Sequence, residues 1–403
     1  MELRPDMTIG QRLAVARRYT GLTQEALAER AGVNVDTIRK LEQGQRQSAR
    51  VSTANALATA LGITTTELLL GVVPQVERGD DPQLLAIRRA LVPAGDWLPA
   101  VDVEGEDAPP DIEALRESVA DAWSSYHGGD FATLGRTVPD LLTEARVAVR
   151  ENTNSRAAAA SAVLAKTSQL AAHVLVQHGQ EDLALLGLDR AAAAARDSDD
   201  AMLPAMITNS VSWIFLRTGR LDDSEQVATR AADTIEPKFR SDRHQVSVYG
   251  GLLLSGMTAA ARAERYDTAR ELLRVAQAAA QMVGDSTDRW TSVFGPTSVS
   301  MQAVQLETTA GEWGKALELA RRVPMAAQTP ESWRARFMLD VAHAQTETHR
   351  DTAAVETLQT IRRLAPGWLR QHGLARAVVR ELMMRPTRPR GVVAMADFVG
   401  VPH

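Results

Sequence analysis

Residues 23–44, TQEALAERAGVNVDTIRKLEQG, carry the full spacing of a helix-turn-helix. Thr23 is a strong N-cap, and the helix opened by Gln24 turns Leu27, Ala28 and Ala31 to one side. Gly32 falls where the chain must take a positive φ that a Cβ would resist. Val33 fills the gap between two helices, and Asn34 caps a second one that buries Ile38 and Leu41 and stops at Gly44. Ala28 is small because two steeply crossing helices leave no room there. A unit of this shape lays its second helix in the major groove, so the stretch predicts a DNA-binding head.

Working outward, three more helices surround the motif. IGQRLAVARRYTG (9–21) spaces Ile9, Leu13, Ala16 and Arg17 as one face. VSTANALATALG (51–62) carries Val51, Ala54, Leu57, Ala58 and Leu61 on one stripe, and TTTELLLG (64–71) has a threonine cap followed by Glu67. Residues 1–71 thus hold five short helices. Residues 72–111 are a Pro- and Gly-marked linker with a short helix over 83–91.

From 112 to 385 the chain repeats. Six similar turns, HGGDFATL (127–134), HGQEDLAL (178–185), TGRLDDSE (218–225), AERYDTAR (263–270), AGEWGKAL (310–317) and THRDTAAV (348–355), recur at a helical-repeat spacing. Each places a small or apolar residue three positions after Phe131, Glu181, Leu221, Tyr266, Trp313 or Asp351. Gly219, Leu221, Ala228, Ala231 and Pro237 sit at tetratricopeptide-like offsets, so stacked helical hairpins with an extended concave face are expected. The tail, 386–403, ends in a short capping helix over 392–399. The fold class is all-α: a five-helix head followed by an α-solenoid.

Composition narrows the function. The chain has 403 residues, no cysteine and only 4% aromatics, which excludes disulfides, zinc-thiolate sites and thiol catalysis. No signal-peptide pattern or uncharged apolar run of membrane length stands out, so a soluble cytoplasmic protein without membrane contact is expected. Net charge is −5, yet residues 1–71 hold nine Lys/Arg against seven Asp/Glu. A mildly basic head on an acidic body should bind DNA modestly and release it as salt rises.

Residues 8–71 resemble the Xre-type, phage-repressor-like (lambda-repressor-like) helix-turn-helix family, from the TQEALAERAGV opening to the LEQG close. Joined to helical repeats, the chain is similar to actinobacterial Xre regulators with a C-terminal tetratricopeptide-like region. By domain order it is also similar to the peptide-pheromone receptor regulators of Gram-positive bacteria. The resemblance implies a sequence-specific transcriptional regulator, homodimeric, whose repeats bind a peptide or small-molecule effector. It also implies that the start of the second helix reads base edges: Val35, Asp36 and Thr37, behind the Asn34 cap, with Arg39 and Lys40 one turn on. Val35 can pack on a thymine methyl, Asp36 can accept from cytosine or merely favour the helix N-terminus, and Lys40 can donate to guanine. Gln24, Arg46 and Arg50 are expected at phosphates.

No phosphate-binding glycine loop, GxSxG or HExxH occurs, so neither an enzyme nor a resident metal or cofactor is expected. The histidines read as surface or packing residues, and so do most repeat aromatics. The exception is Asn209, Trp213 and Arg217, an i, i+4, i+8 stripe able to hold an amide backbone and a carboxylate. A second ligand candidate is the interruption at Phe294-Gly295-Pro296 with Gln302 beyond it, and His173 with Gln169 could face the same groove. The competing reading is an adaptor, in which the repeats hold a partner protein and the head tethers it to DNA.

Overall fold

The computed structural model describes residues 7–46, 48–49, 51–63, 65–70, 82–94, 110–152, 155–238, 240–287, 293–323 and 329–402. These residues are helical apart from turns and one two-residue antiparallel β pair.

The head is α1 (Ile9–Tyr19), α2 (Gln24–Ala31), α3 (Val35–Glu42), α4 (Val51–Leu61) and α5 (Thr65–Leu70). Thr23 caps α2 by accepting from Ala26 N–H, and Asn34 caps α3 by accepting from Asp36 N–H. Gly32 takes the left-handed conformation between them, with φ of 65°. Leu13, Leu27, Ile38, Leu41 and Leu57 are buried together, with Ala28 at the α2–α3 crossing. A second cap, unremarked in the sequence, is the Thr8–Gln11 box at the start of α1. The threonine cap expected at Thr64 lies outside the described residues.

The body begins with α6 (Pro82–Leu91). This helix belongs to the body core rather than to a free linker, because Ile87 and Leu91 are buried there and Arg146 donates to the Leu91 carbonyl at 2.6 Å. Six hairpins follow: α7 (Ile112–Gly128) with α8 (Phe131–Glu151), α9 (Ser155–Gln177) with α10 (Glu181–Arg196), and α11 (Leu203–Arg217) with α12 (Leu221–Thr234). Then come α13 (Arg243–Arg262) with α14 (Tyr266–Val283), α15 (Pro296–Thr309) with α16 (Trp313–Ala320), and α17 (Glu331–Glu347) with α18 (Asp351–Leu364). The chain ends in α19 (Pro366–Gln371), α20 (Gly373–Met383) and α21 (Val392–Val399), which close a second core against α17 and α18.

All six repeated turns join the two helices of a hairpin, and they share one geometry. A left-handed residue sits at each: Gly129, Gly179, Gly219, Glu264, Gly311 and His349. The residue after it sends its N–H five positions back, as Gln180 does to Leu175 and Arg265 to Ala260, which satisfies an orphan helix carbonyl. Five positions beyond the left-handed residue stand Leu134, Ala184, Ser224, Ala269, Ala316 and Ala354, all buried where the two helices meet. Ser224 survives burial because its hydroxyl donates to the Ser212 carbonyl and Ser212 returns the bond to Ser224.

Between α14 and α15 the regular array is broken by β1 (Ser286–Thr287) and β2 (Val293–Phe294). Asp285 fixes this corner by accepting from the N–H and hydroxyl of Thr297 at 2.9 and 2.7 Å. The superhelix returns on itself: α17 packs on α7, and the Ser332 hydroxyl donates to the His127 carbonyl at 3.1 Å. One helix, over 156–177, is long and apolar enough to cross a membrane, but 72% of its apolar window is buried inside the body as a core helix.

Candidate functional site

The reading edge is shaped by a half-buried ion pair. Arg17 grips Glu42 at 2.7 and 2.9 Å, and the Gln24 amide donates to the same carboxylate at 2.7 Å. Burial pushes the Glu42 carboxyl up, but the bonds from Arg17 and Gln24 outweigh it and leave the group below its usual range. α1, α2 and the end of α3 are thereby locked into one unit. Gln24, expected at a phosphate, spends its amide on this lock. Arg12, which the sequence did not single out, is fully buried and donates to the carbonyls of Leu68 (2.8 Å), Met7 and Leu69 at the end of α5. A cation belongs at a helix C-terminus, and its donors have partners.

Along α3, Asn34, Asp36, Arg39 and Lys40 are exposed, while Val35 and Thr37 are half-buried. Asp36 accepts from Arg39 at 3.1 Å, so two of the expected base readers are already paired with each other. Arg46 is exposed in the following loop, and Arg50 lies outside the described residues. Asn34, Thr37 and Arg46 do not face open solvent alone. With Leu221, Arg262, Ala263 and Glu264 of the body they line a cleft of about 530 Å³.

The larger feature is a cavity of about 2080 Å³ inside the curve of the body, with part of the head as one wall. All six ligand candidates, His173, Asn209, Trp213, Arg217, Phe294 and Gln302, line it. One rule of register recurs in the lining of all six hairpins. Counting back from the left-handed turn residue, positions two and six earlier always face the cavity. These pairs are Trp123 and His127, His173 and Gln177, Trp213 and Arg217, Thr258 and Arg262, Gln305 and Thr309, and His343 and Glu347. Residues four apart on a helix share a face, so every first helix presents the same stripe inward. Trp213 and Arg217 are one instance of that rule, and Asn209 continues their stripe one turn farther back.

Phe294 contributes differently from the others. It is buried, with its ring tip pressed where a Cβ on Gly250 would stand, 1.9 Å from its Cζ. It is a floor plank more than a contact residue, and the β pair accounts for the broken periodicity around it. Asn209 is also engaged, accepting from the Ser255 hydroxyl at 2.6 Å.

At the N-terminal end of the cavity the rings form one cluster. The His173 ring lies 5.1 Å from Trp123, 5.3 Å from Tyr126 and 4.9 Å from Trp213, centre to centre. Burial, helped by the charge of His127, lowers His173 to about 3, so the ring is neutral. Gln169 donates to the Ser210 hydroxyl at 2.9 Å, and the same hydroxyl pairs with His173 Nε2 at 2.8 Å. His173 Nδ1 is buried and has no partner among the described residues.

Farther along, Arg336 pairs with Asp340 at 3.1 Å and donates to His372 Nε2 at 3.3 Å. Burial and the charges of Arg336, Arg217, Arg262 and Arg376 hold His372 well below its ordinary value. Because a guanidinium can only donate, the His372 proton sits on Nδ1, which is buried without a partner among the described residues. Burial, then the charges of Arg336 and Arg217, lowers Arg262 to about 10. His372 and Arg336 were not singled out in the sequence: one belongs to the second core and the other lies outside the stripe rule.

Residues 8–70 match the family model of a helix-turn-helix domain, and that part of the chain is one. No curated protein matches the chain. Among solved structures, the crystal structure of Bacillus thuringiensis PlcR in complex with the peptide PapR7 and DNA is similar at a TM-score of 0.34 and 10% identity, over 85% of this chain and 98% of that one.

Proposed function

We propose that this chain is a cytoplasmic, sequence-specific transcriptional regulator of the Xre type. Its helix-turn-helix head binds an operator, and its helical body takes a peptide or small-molecule effector and pairs two copies of the chain. The reading is non-enzymatic. What carries it is that the helix-turn-helix head forms one wall of the 2080 Å³ cavity, so that an occupant touches the DNA-binding part directly. Four residues, Arg46, Asn55, Leu221 and Arg262, line both this cavity and the cleft beside Asn34 and Thr37. Asn34 and Thr37 turn into this cleft against the body, so full contact of the start of α3 with a duplex calls for the head to shift on the body. An effector that binds the two head positions unequally then controls operator affinity.

The test is selection of bound duplexes from a random-sequence pool by the full chain. The expected result is an enriched inverted repeat with half-sites one helical turn, or a multiple of it, apart. Replacing Lys40 with Ala should weaken discrimination at one base position by about 1–3 kcal/mol. A uniform loss over all sequences would assign Lys40 to a phosphate, and a pool with no enriched sequence overturns the function.

A further inference from the structure

We propose that the cavity is built for an anionic ligand carrying a flat apolar group, with the group against the Trp123–Tyr126–His173–Trp213 cluster and the charge on Arg217, Arg262 and Arg336. This rests on the cavity being the effector site and names the chemistry of the effector.

Charge is the first argument. The chain as a whole is net −5, yet nine arginines and five carboxylates line the cavity. The excess is not evenly spread. Arg385, just past α20, is matched: it holds Asp351 at 3.4 Å and Glu381 at 3.1 Å. Around Arg217, Arg262 and Arg336 the balance fails. Asp340 is the close acidic partner of Arg336, Arg217 reaches Glu181 only at 3.9 Å, and Arg262 donates to nothing better than the Leu216 carbonyl at 3.4 Å. Burial and the neighbouring guanidiniums lower Arg262, and such a cluster is stabilised by an anion with complementary oxygens.

Donor polarity is the second. Arg217, Arg262 and Arg336 offer only N–H groups, and Arg336 donates to His372 Nε2, so that ring turns no acceptor toward the cluster. A site lined by N–H donors fits an acceptor ligand. Continuity is the third: the Arg217 guanidinium lies 5.5 Å from the Trp213 ring centre, so the aromatic surface runs directly into the cationic one. Carboxylates and phosphate monoesters share the required chemistry.

The experiment is calorimetric titration of the full chain with 1-naphthylacetate, 1-naphthyl phosphate and the neutral 1-naphthaleneethanol. Both anions should bind at least about tenfold more tightly than the alcohol, since a charge-assisted bond is lost with the charge. The tighter of the two identifies a carboxylate or a phosphate site. R262Q and R336Q should each remove most of that preference while leaving the alcohol's affinity unchanged, and W213L should weaken all three alike. R217Q, at an exposed position, repeats the test should a buried variant fail to fold. An alcohol that binds as well as the acids, no binding by any of the three, or a preference that survives all three arginine variants overturns the proposal. Operator affinity is measured in the same samples: an anion preference that leaves it unchanged supports the anion site and overturns the effector function instead.

Discussion

Acidifying the protein from pH 7 to pH 5 should destabilise the body, with His173 as an identifiable part of the loss. In the unfolded chain this imidazole takes a proton near 6.5, whereas burial among Trp123, Tyr126 and Trp213 lowers it to about 3 in the folded protein. Between those values the unfolded state binds one proton more than the folded state. Stability therefore falls as pH falls, by about 1.4 kcal/mol per unit once pH is well below 6.5. Integrated from pH 7 to pH 5, His173 alone accounts for about 2 kcal/mol. His372 is shifted the same way and adds to the total. Urea denaturation followed by tryptophan fluorescence at the two pH values gives the loss for the wild type and for H173Q. The variant should lose about 2 kcal/mol less. The His173 Cε1–H resonance provides the direct check, because it should not titrate above pH 4. A midpoint above about 5, or equal losses in both proteins, refutes the placement of this ring in a dry aromatic cluster.

Four substitutions test the packing and turns on which the sites depend. A Cβ on Gly10 would stand 1.8 Å from the Leu41 carbonyl oxygen, so G10A should cost the head about 3 kcal/mol or more and abolish DNA binding, with the body's melting transition unchanged. G250A drives a Cβ into Phe294 and should destabilise the body by about 1–3 kcal/mol, read by denaturation; wild-type stability would mean that the β2 corner yields freely. Glu264 and His349 hold φ of 62° and 57° at turns where the equivalent residues are glycine, so E264G and H349G should each raise body stability by about 1 kcal/mol.

The helix-turn-helix and the repeat turns were legible because they depend on local rules. Gly32, Asn34 and Ala28 each answer a demand set within a few residues, and the six turns repeat a backbone motif that glycine mostly signals. Once the turn register is known, the inward pairs two and six positions earlier follow from helix geometry alone. Trp213 and Arg217 were read instead from the i, i+4, i+8 stripe with Asn209; the turn register would also have reached Arg262, which stands where Arg217 stands one hairpin earlier. Other features depend on contacts distant in sequence. Arg12 reads as an ordinary surface residue until α5 delivers the Leu68 and Leu69 carbonyls to it, beside that of Met7. Phe294 reads as a loop aromatic until Gly250 opens a slot for its ring. Arg336 and His372 meet only because α19 and α20 fold back across α17, which no periodicity announces.

The shared wall sets a quantitative demand on the proposed regulation. Arg262 belongs to the arginine cluster of the cavity and also to the cleft that faces Asn34 and Thr37. An anion that draws Arg262 toward the cavity acts on the cleft with no intervening relay, and DNA that draws Arg46 or Asn34 outward acts on the cavity through the same wall. Coupling of this kind is reciprocal: the factor by which ligand changes operator affinity equals the factor by which operator changes ligand affinity. Typical couplings are about 5–150-fold, well within the reach of titration in both directions. The protein titrated with 1-naphthyl phosphate, with and without saturating selected duplex, should give the same ratio as duplex titrated with and without saturating ligand. R262Q should bring both ratios close to one, even where some ligand affinity remains. Ratios that stay equal and large in R262Q would route the coupling elsewhere in the head–body contact, through Asn55 or Leu221.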